Sequence, residues 1–226
     1  MTRKKSTSRK NREKYGTGDH ATWKPWITTA EFNSLGTTSN LIDWKHGRPL
    51  QLLSQAELTV YYKLRWDDKI DDIREQYPLE LDSTKQIAEE MGVKHPGNGT
   101  EPMTSDFYIV MVDGSIQVVS VKADRASIAN DQRTLEKLAI EKIYWTQRKI
   151  PWKMMYKEDI SPIEINNLRS CLVYYDPNSV FDQTSLAKHL IATKKFPADL
   201  SVPVDFPALG RKLEEKGYLW KTTYLL

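Results

Sequence analysis

Residues 105–122, SDFYIVMVDGSIQVVSVK, decide the fold, because they contain two β-rich runs around one turn signal. The runs are Phe107 to Val112 and Ile116 to Val121, and Asp113-Gly114 between them is among the strongest short-range signals for a β-hairpin. Apolar residues occupy both faces of the first run, which predicts a central strand that is buried on two sides. The hairpin is therefore expected to form the middle of a larger sheet.

Two charged residues, Asp106 and Lys122, lie at the open end of this hairpin, and a charge at the end of a buried strand is either paired or functional. A two-residue loop would turn the Asp106 side chain away from Lys122. A three-residue loop, with Gly114 left-handed in a bulge, would pair Asp106 with Ser120. We predict the second register, which brings Asp106, Ser120 and Lys122 to one face.

The elements around the hairpin predict a mixed sheet with helices on its faces. Ser54 and Glu57 form a capping-box pattern before an apolar helical face, and Ile70 to Leu79 alternates as a strand. The longest helical pattern spans Asn130 to Arg148, and Trp152 to Tyr156 follows as one more strand. The fold class is therefore α/β, in the order helix, strand, hairpin, helix, strand.

At 226 residues, 39% hydrophobic and 28% charged, the chain has room for one larger and one smaller domain. The expected parts are a basic disordered arm at 1–15, the α/β domain at 16–159 and a C-terminal unit at 160–226. In the last part, helical patterns at Asp182 to Lys194 and Phe206 to Lys216 fit either a winged-helix module or a small helical unit that packs against the first domain or a partner.

Several classes of protein are excluded by composition. No apolar run approaches the roughly 18 to 20 residues that a membrane span needs, and no apolar secretory segment follows the basic N-terminus, so we expect a cytosolic protein without a membrane partner. A single cysteine, Cys171, excludes an internal disulfide and a cysteine-rich zinc site. The histidines are scattered without metal-ligand spacing, so a metal would need oxygen ligands; they are His20, His46, His95 and His189.

Positive charge is concentrated at the N-terminus. Residues 1–14 carry a charge of +6, so the rest of the chain carries −3 of the formal net charge of +3. Such an arm is too polar to order itself, and it can either contact nucleic-acid phosphates, which we favour, or act as a solvated tail. Its predicted DNA-binding residues are Arg3, Lys4, Lys5, Arg9, Lys10, Arg12 and Lys14.

Three residues suit metal-assisted phosphodiester hydrolysis, which needs carboxylates to hold Mg²⁺ and a cation to position or activate the attacking water. Glu57, Asp106 and Lys122 meet this need by residue type. Each also has a structural interpretation, because Asp106 and Lys122 could form an ion pair at the sheet edge. Glu57 could likewise return to the backbone N–H of Ser54 as a helix cap. The residues alone leave both interpretations open.

Ten ordered segments between residues 16 and 156 carry a resemblance to a known family. They are GTG at 16–18, PWIT at 25–28, LLS at 52–54, Glu57-Leu58, DIREQYPL at 72–79, KHP at 94–96, SDF at 105–107, Val121-Lys122, RTLEKL at 133–138, and Tyr144-Trp145 with IPW at 150–152. In these segments the chain resembles the TnsA family, the restriction-endonuclease-like subunit of heteromeric transposases. The resemblance implies a restriction-endonuclease-like fold for residues 16–159.

The resemblance also implies roles for individual residues. It makes Glu57 and Asp106 the metal-binding carboxylates and Lys122 the catalytic lysine, with Mg²⁺ as the cofactor and Mn²⁺ as a substitute. The family usually places Gln two residues before that lysine; here Ser120 is the candidate ligand, through its hydroxyl, its backbone carbonyl or a held water. Glu141 matches a further acidic family position, and for it we favour a solvated helix charge.

The implied function is that of a DNA endonuclease subunit that hydrolyses phosphodiester bonds at the 5′ ends of a transposon during cut-and-paste transposition. The implied partners are transposon-end DNA, a TnsB-type transposase that processes the 3′ ends, and a TnsC-type ATPase regulator, all at the nucleoid of a bacterial cytoplasm. Residues 161–226 match the family much less clearly. Two alternatives remain: a stand-alone nuclease of restriction or repair type, and a non-catalytic DNA-binding assembly subunit, motivated by Ser120.

Overall fold

A computed structural model of the protein describes residues 5–31 and 39–220. The helices are α1 Thr7–Arg12, α2 Gln55–Arg65, α3 Leu81–Glu90, α4 Ala126–Ala129, α5 Gln132–Gln147, α6 Pro162–Leu172, α7 Gln183–Ala192 and α8 Phe206–Glu215. The strands are β1 Ser39–Ile42, β2 Pro49–Leu52, β3 Ile70–Pro78, β4 Thr104–Met111, β5 Ile116–Lys122 and β6 Trp152–Tyr156. Short 3₁₀ turns occur at His20–Thr22, Thr29–Glu31, Pro96–Gly99, Lys157–Asp159 and Pro177–Ser179. Within these described ranges, no helix is both long and apolar enough to cross a bilayer.

Four strands form one mixed sheet in the order β3-β4-β5-β6. The first two pairings are antiparallel, and β5 runs parallel to β6, with helix α5 in the crossover between them. Phe107, Ile109 and Val119 in the central pair are fully buried. On one face, Ile140 and Trp145 of α5 join a core cluster with residues of the sheet. The α/β class and the restriction-endonuclease-like mixed sheet flanked by helices are thus confirmed.

The hairpin adopts the predicted register. Gly114 has a φ of +81° and donates its N–H to Met111 O, and Met111 donates to Ser115 O, which closes a three-residue loop. The ladder between β4 and β5 ends at the pair Phe107–Val119. The predicted pair of Asp106 with Ser120 is therefore not part of the ladder, because the strands separate one step earlier.

A two-stranded antiparallel sheet of β1 and β2 lies beside β3. Arg48, just before β2, places both terminal nitrogens on the Glu75 carboxylate at 2.8 and 2.6 Å, and both residues are buried. The same carboxylate accepts the backbone N–H of Gln51 at 3.0 Å. A bidentate pair of this kind holds β2, and with it the start of α2, against the sheet.

The expectation of a disordered arm is wrong for residues 5–15. Residues Thr7–Arg12 form a helix that Ser6 caps, and Lys10 on it is only 2% exposed. The Lys10 ammonium pairs with Glu31 at 2.6 Å and donates to Trp26 O at 2.7 Å. Composition indicated disorder because the segment is polar, but a buried lysine with two partners ties it to the fold. Residues 1–4 lie outside the described ranges.

The chain divides into two compact units, Met1–Asp159 and Ile160–Leu226. In the described part of the second unit, residues 160–220, three helices are present and no strand. Leu186, Ala187, Leu190 and Leu213 form its core, where α7 meets α8. The terminal hairpin of a winged-helix module would need residues beyond 220, so that interpretation stays a prediction.

Candidate active site

Asp106 and Lys122 lie together where β4 and β5 separate. Asp106 Oδ2 accepts the backbone N–H of Val121 at 2.6 Å, and Lys122 Nζ donates to Val121 O at 3.1 Å. Both side chains line the same cavity, as the three-residue loop requires. Burial raises the pKa of Asp106, while the nearby Lys122 ammonium and the Val121 N–H oppose that rise.

Glu57 comes from the first turn of α2, where the capping pattern placed it. Ser54 caps the helix by accepting the Glu57 N–H, and its hydroxyl donates to Glu57 Oε1 at 2.9 Å. The second oxygen accepts the N–H of Leu53 at 2.9 Å, and this differs from the expected return to the N–H of Ser54. Glu57 is buried, and burial together with the Asp106 charge raises its pKa. The helix cap thus positions a carboxylate whose negative charge is disfavoured by burial and by the charge of Asp106.

Gln76 of β3 is a third contact of Glu57 that the sequence did not reveal. Its Nε2 donates to Glu57 Oε2 at 3.1 Å, and its Oε1 accepts the Thr104 hydroxyl at 3.1 Å. Its φ of +50° is left-handed, although it stands within a strand and carries a Cβ. Strained backbone of this kind is concentrated at functional sites. Here it turns an amide toward the Glu57 carboxylate.

Glu141 is part of the same site, so the favoured interpretation of a solvated helix charge is wrong. It is 5% exposed, on helix α5, and its Oε1 accepts hydrogen bonds from Ser105 and Ser120, each at 2.6 Å. Burial, and then the charge of Asp106, raise the pKa of Glu141 to about 7. The helix buries this carboxylate because Glu141 lies on the core-facing stripe of α5 with Ile140, Tyr144 and Trp145.

Ser120 is occupied by hydrogen bonds on both sides. It is 1% exposed, donates to Glu141, and accepts the Trp152 indole N–H at 3.0 Å. These contacts do not support the prediction that the Ser120 hydroxyl is a metal ligand. The carboxylate of Glu141, which Ser120 contacts, instead lines the cavity with Asp106 and Lys122.

A cavity of about 470 Å³ brings these groups to one surface. Asp106, Lys122 and Glu141 line it, and Lys137, one helical turn before Glu141, adds a second cation that the sequence analysis missed. Glu57 is not in its wall, but the charge of Asp106 raises the pKa of Glu57, as it does that of Glu141. These three carboxyl groups form a hard oxygen-donor set that suits Mg²⁺, which therefore fits the residues present.

The predicted DNA-binding residues of the arm differ in burial and in ion pairing. Lys10 is buried and must be withdrawn from the set. Lys5 and Arg9 pair with Glu13 at 2.6 and 2.7 Å, although Arg9 keeps more than half of its side chain exposed. The exposed cations without such a pair in the described arm are Arg12 and Lys14. Arg3 and Lys4 lie outside the described residues.

Comparison with known proteins agrees with this geometry. Residues 67–157 match the family described as TnsA-like endonuclease N terminal, a stretch that includes Asp106, Lys122 and Glu141 but not Glu57. The chain is also 36% identical over 163 residues to the Transposon Tn7 transposition protein TnsA of Escherichia coli. That match covers 71% of this chain and 60% of the relative, so the chain spans less than two thirds of the length of the curated relative it matches. On these matches and on its fold, the chain carries a TnsA-like endonuclease domain that includes residues 67–157.

Proposed function

We propose that this protein is the metal-dependent DNA endonuclease subunit of a transposase, and that it hydrolyses phosphodiester bonds at the 5′ ends of a transposon. One observation carries the proposal: Asp106, Lys122 and Glu141 line a single cavity, and Glu57 is charge-coupled to Asp106. The match to the TnsA-like endonuclease domain and the name of the Escherichia coli relative support the link to transposition.

Asp106, Glu57 and Glu141 would hold Mg²⁺, with Mn²⁺ as a substitute. Asp106 is the common neighbour, because its charge raises the pKa of both other carboxyls. A bound divalent ion supplies a Lewis acid that stabilises negative charge on the phosphoryl oxygens. Without the ion the carboxylates repel one another, so binding of the cation also stabilises the folded protein.

The two lysines of the cavity would act on the phosphate and the attacking water. Lys122 lies next to Asp106 at the end of β5, where its ammonium can hold a water or a phosphoryl oxygen and stabilise charge in the transition state. Lys137 is exposed at the rim of the cavity, and we assign it to an adjacent DNA phosphate. Arg12 and Lys14 remain candidates for more distant phosphate contacts.

The partners that we propose are transposon-end DNA, a TnsB-type transposase and a TnsC-type ATPase regulator, which would place the protein at the bacterial nucleoid. The second unit is the region that we propose for protein partners, since the cavity and its carboxylates all belong to residues 1–159.

Mapping of donor-DNA ends in a reaction with the partner transposase and Mg²⁺ tests the proposal. We expect 5′ cleavage with the wild-type protein and a loss of at least about 100-fold with Asp106→Asn or Lys122→Ala, because each removes transition-state stabilisation worth several kcal/mol. Asp113→Asn, at the exposed tip of the same hairpin, and Lys153→Ala, on β6, are matched controls that should cleave normally. Unchanged cleavage by Asp106→Asn would refute the proposal in favour of a non-catalytic assembly subunit.

The same reaction without the partner transposase distinguishes a stand-alone nuclease from the proposed transposase subunit. If the purified protein with Mg²⁺ cuts duplex DNA freely and at sites unrelated to transposon ends, the stand-alone function is the correct one. We expect little cleavage, and expect it to rise when the partner is added.

A further inference from the structure

A second cluster of ligand-type side chains lies on the opposite end of β3 from Gln76. One ring nitrogen each of His20 and His46 and one carboxylate oxygen of Asp71 lie within 4.8 Å of one another. Asp71 is five residues from Gln76, which corresponds to about 16 Å along the strand. The histidines have no metal-ligand spacing in the sequence, but the fold brings two of them together with Asp71.

The three side chains come from three separate segments. His20 stands in the N-terminal segment, His46 in the turn between β1 and β2, and Asp71 on β3. The Nε2 of His20 lies 2.8 Å from Asp71 Oδ2, and the two imidazole rings meet edge to face with their centroids 4.8 Å apart. The side chain of His46 is 11% exposed, whereas those of His20 and Asp71 are 43% and 37% exposed, so the group is reachable from solvent.

A buried carboxylate beside the group lacks a hydrogen bond on one of its oxygens. Asp72 is fully buried; its Oδ2 accepts from the His20 N–H at 2.9 Å and from Arg74 Nε at 2.7 Å. Among the residues that the structure describes, its Oδ1 has no hydrogen-bond partner, and it lies 3.9 Å from His46 Nδ1. A buried carboxylate oxygen without a donor is costly, and a nearby cation would offset that cost.

The environment of His46 resembles the outer shell of a metal site. Its Nδ1 lies 3.2 Å from Asp43 Oδ2. In the tautomer that carries its proton on Nδ1 and donates it to this carboxylate, Nε2 has the free lone pair that binds a metal. His20 adopts a left-handed φ of +44°, which is uncommon for a side-chain-bearing residue. The cations nearby are already paired: Lys45 with Asp71 at 3.3 Å, and Arg74 with Asp72.

From this geometry we propose that His20, His46 and Asp71 bind one Zn²⁺ ion, separate from the proposed catalytic site. Two imidazoles, one carboxylate and a water satisfy the tetrahedral preference of Zn²⁺. Ligand distances near 2.0 Å place the ligand atoms of a tetrahedral site about 3.3 Å apart, so the widest separation in the group, up to 4.8 Å, must close by about 1.5 Å. The ion fastens the N-terminal segment and the β1–β2 turn to β3.

Metal titration of the full-length protein tests the site without reference to cleavage. The parent for the test is the Asp106→Asn protein, freed of metal with a chelator, because this substitution weakens binding at the cavity. We expect one equivalent of Zn²⁺ by calorimetry, and visible absorption bands of tetrahedral Co²⁺ when Co²⁺ replaces it. We also expect Zn²⁺ to raise the Tm.

Substitutions assign the ligands. Asp71→Asn and His46→Gln, each added to the parent, should weaken Zn²⁺ binding by about 100-fold or more and abolish both the Co²⁺ bands and the rise in Tm. The matched control is Asp82→Asn, whose side chain is 92% exposed on α3 and which should bind Zn²⁺ like the parent. Because Asp71 is partly exposed and the change is isosteric, this variant decides the matter even if His46→Gln fails to fold. A parent that binds no Zn²⁺, or an Asp71→Asn variant that binds it as tightly as the parent, would overturn the proposal.

Discussion

Ser120 Oγ donates a 2.6 Å hydrogen bond to Glu141 Oε1, which joins the position two residues before Lys122 to a carboxylate on a different element. The strand supplies a short hydroxyl, and the helix supplies the carboxylate that this hydroxyl contacts. The two residues therefore act as one unit. Because Ser120 is paired with a carboxylate of the cavity, a serine at this position is not by itself evidence that the catalytic site has decayed.

Moving the carboxylate from position 141 on α5 to position 120 on β5 tests whether Ser120 and Glu141 act together. Glu141→Ala should lower 5′ cleavage at least about 100-fold, because the variant lacks one of the three carboxylates that we propose to hold the metal. Adding Ser120→Glu should restore part of that activity, since the vacated space lies beside position 120. The measurement is cleavage at transposon ends in the presence of the partner transposase. Glu89→Ala, exposed on α3, is the control, and wild-type cleavage by Glu141→Ala would contradict the assignment.

The raised pKa of Glu141 predicts a pH dependence of stability in the metal-free protein. Its folded pKa of about 7 exceeds its unfolded value of 4.5, so the folded state binds the extra proton. The associated stability is fully present below pH 4.5 and is lost as the pH rises through 7. Glu141→Gln keeps both hydroxyl contacts without the charge and should raise the Tm at pH 8 by several degrees, with little effect at pH 5. An equal change in Tm at both pH values would contradict the shift.

The left-handed Gln76 predicts a separation of stability from activity. Gln76→Gly relieves the backbone strain but removes the hydrogen bond to Glu57, so we expect an unchanged or higher Tm together with about tenfold weaker cleavage. Lys149→Gly is the matched control, because Lys149 also has a positive φ, of +57°, on an exposed turn after α5. It should gain stability and cleave normally. Equal cleavage by both variants would remove Gln76 from the site.

The buried pair of Arg48 and Glu75 predicts a large loss of stability on removal of one partner. Arg48→Met leaves Glu75 buried without its guanidinium, which typically lowers the free energy of unfolding by about 3–5 kcal/mol. Thermal or urea unfolding measures the change. Arg125→Met removes exposed pairs with Glu158 and Asp159, and it should lower the free energy of unfolding far less, because solvent screens these charges. A small effect of Arg48→Met would show that β2 is held by other contacts.

The parts of the structure that could be predicted are those that local chemistry decides. The hairpin loop follows from Gly114, because a three-residue loop needs a left-handed residue at that position, and the register then follows from counting outward. Glu57 follows from the capping pattern with Ser54, although its carboxylate reached the N–H of Leu53. In both cases the decisive interactions lie within a few residues.

The parts that could not be predicted depend on contacts distant in sequence. The charge of Glu141 favours a solvated position, yet its spacing from Tyr144 and Trp145 places it on the buried stripe of α5, and that periodicity was the available signal. No comparable signal exists for Lys10, whose partner Glu31 is 21 residues away. The approach of His20 to Asp71 spans 51 residues and is likewise invisible before folding.

The buried ammonium of Lys10 has a consequence for how DNA affinity is dissected. Deleting residues 1–14 would remove positive charge, but it would also leave Glu31 beneath the surface without its 2.6 Å counter-ion. A shortened chain that binds DNA poorly would then report damage to the domain as much as lost attraction to phosphate. Neutralising Arg12 and Lys14 in the full-length protein keeps the anchor in place, and it measures the electrostatic contribution alone.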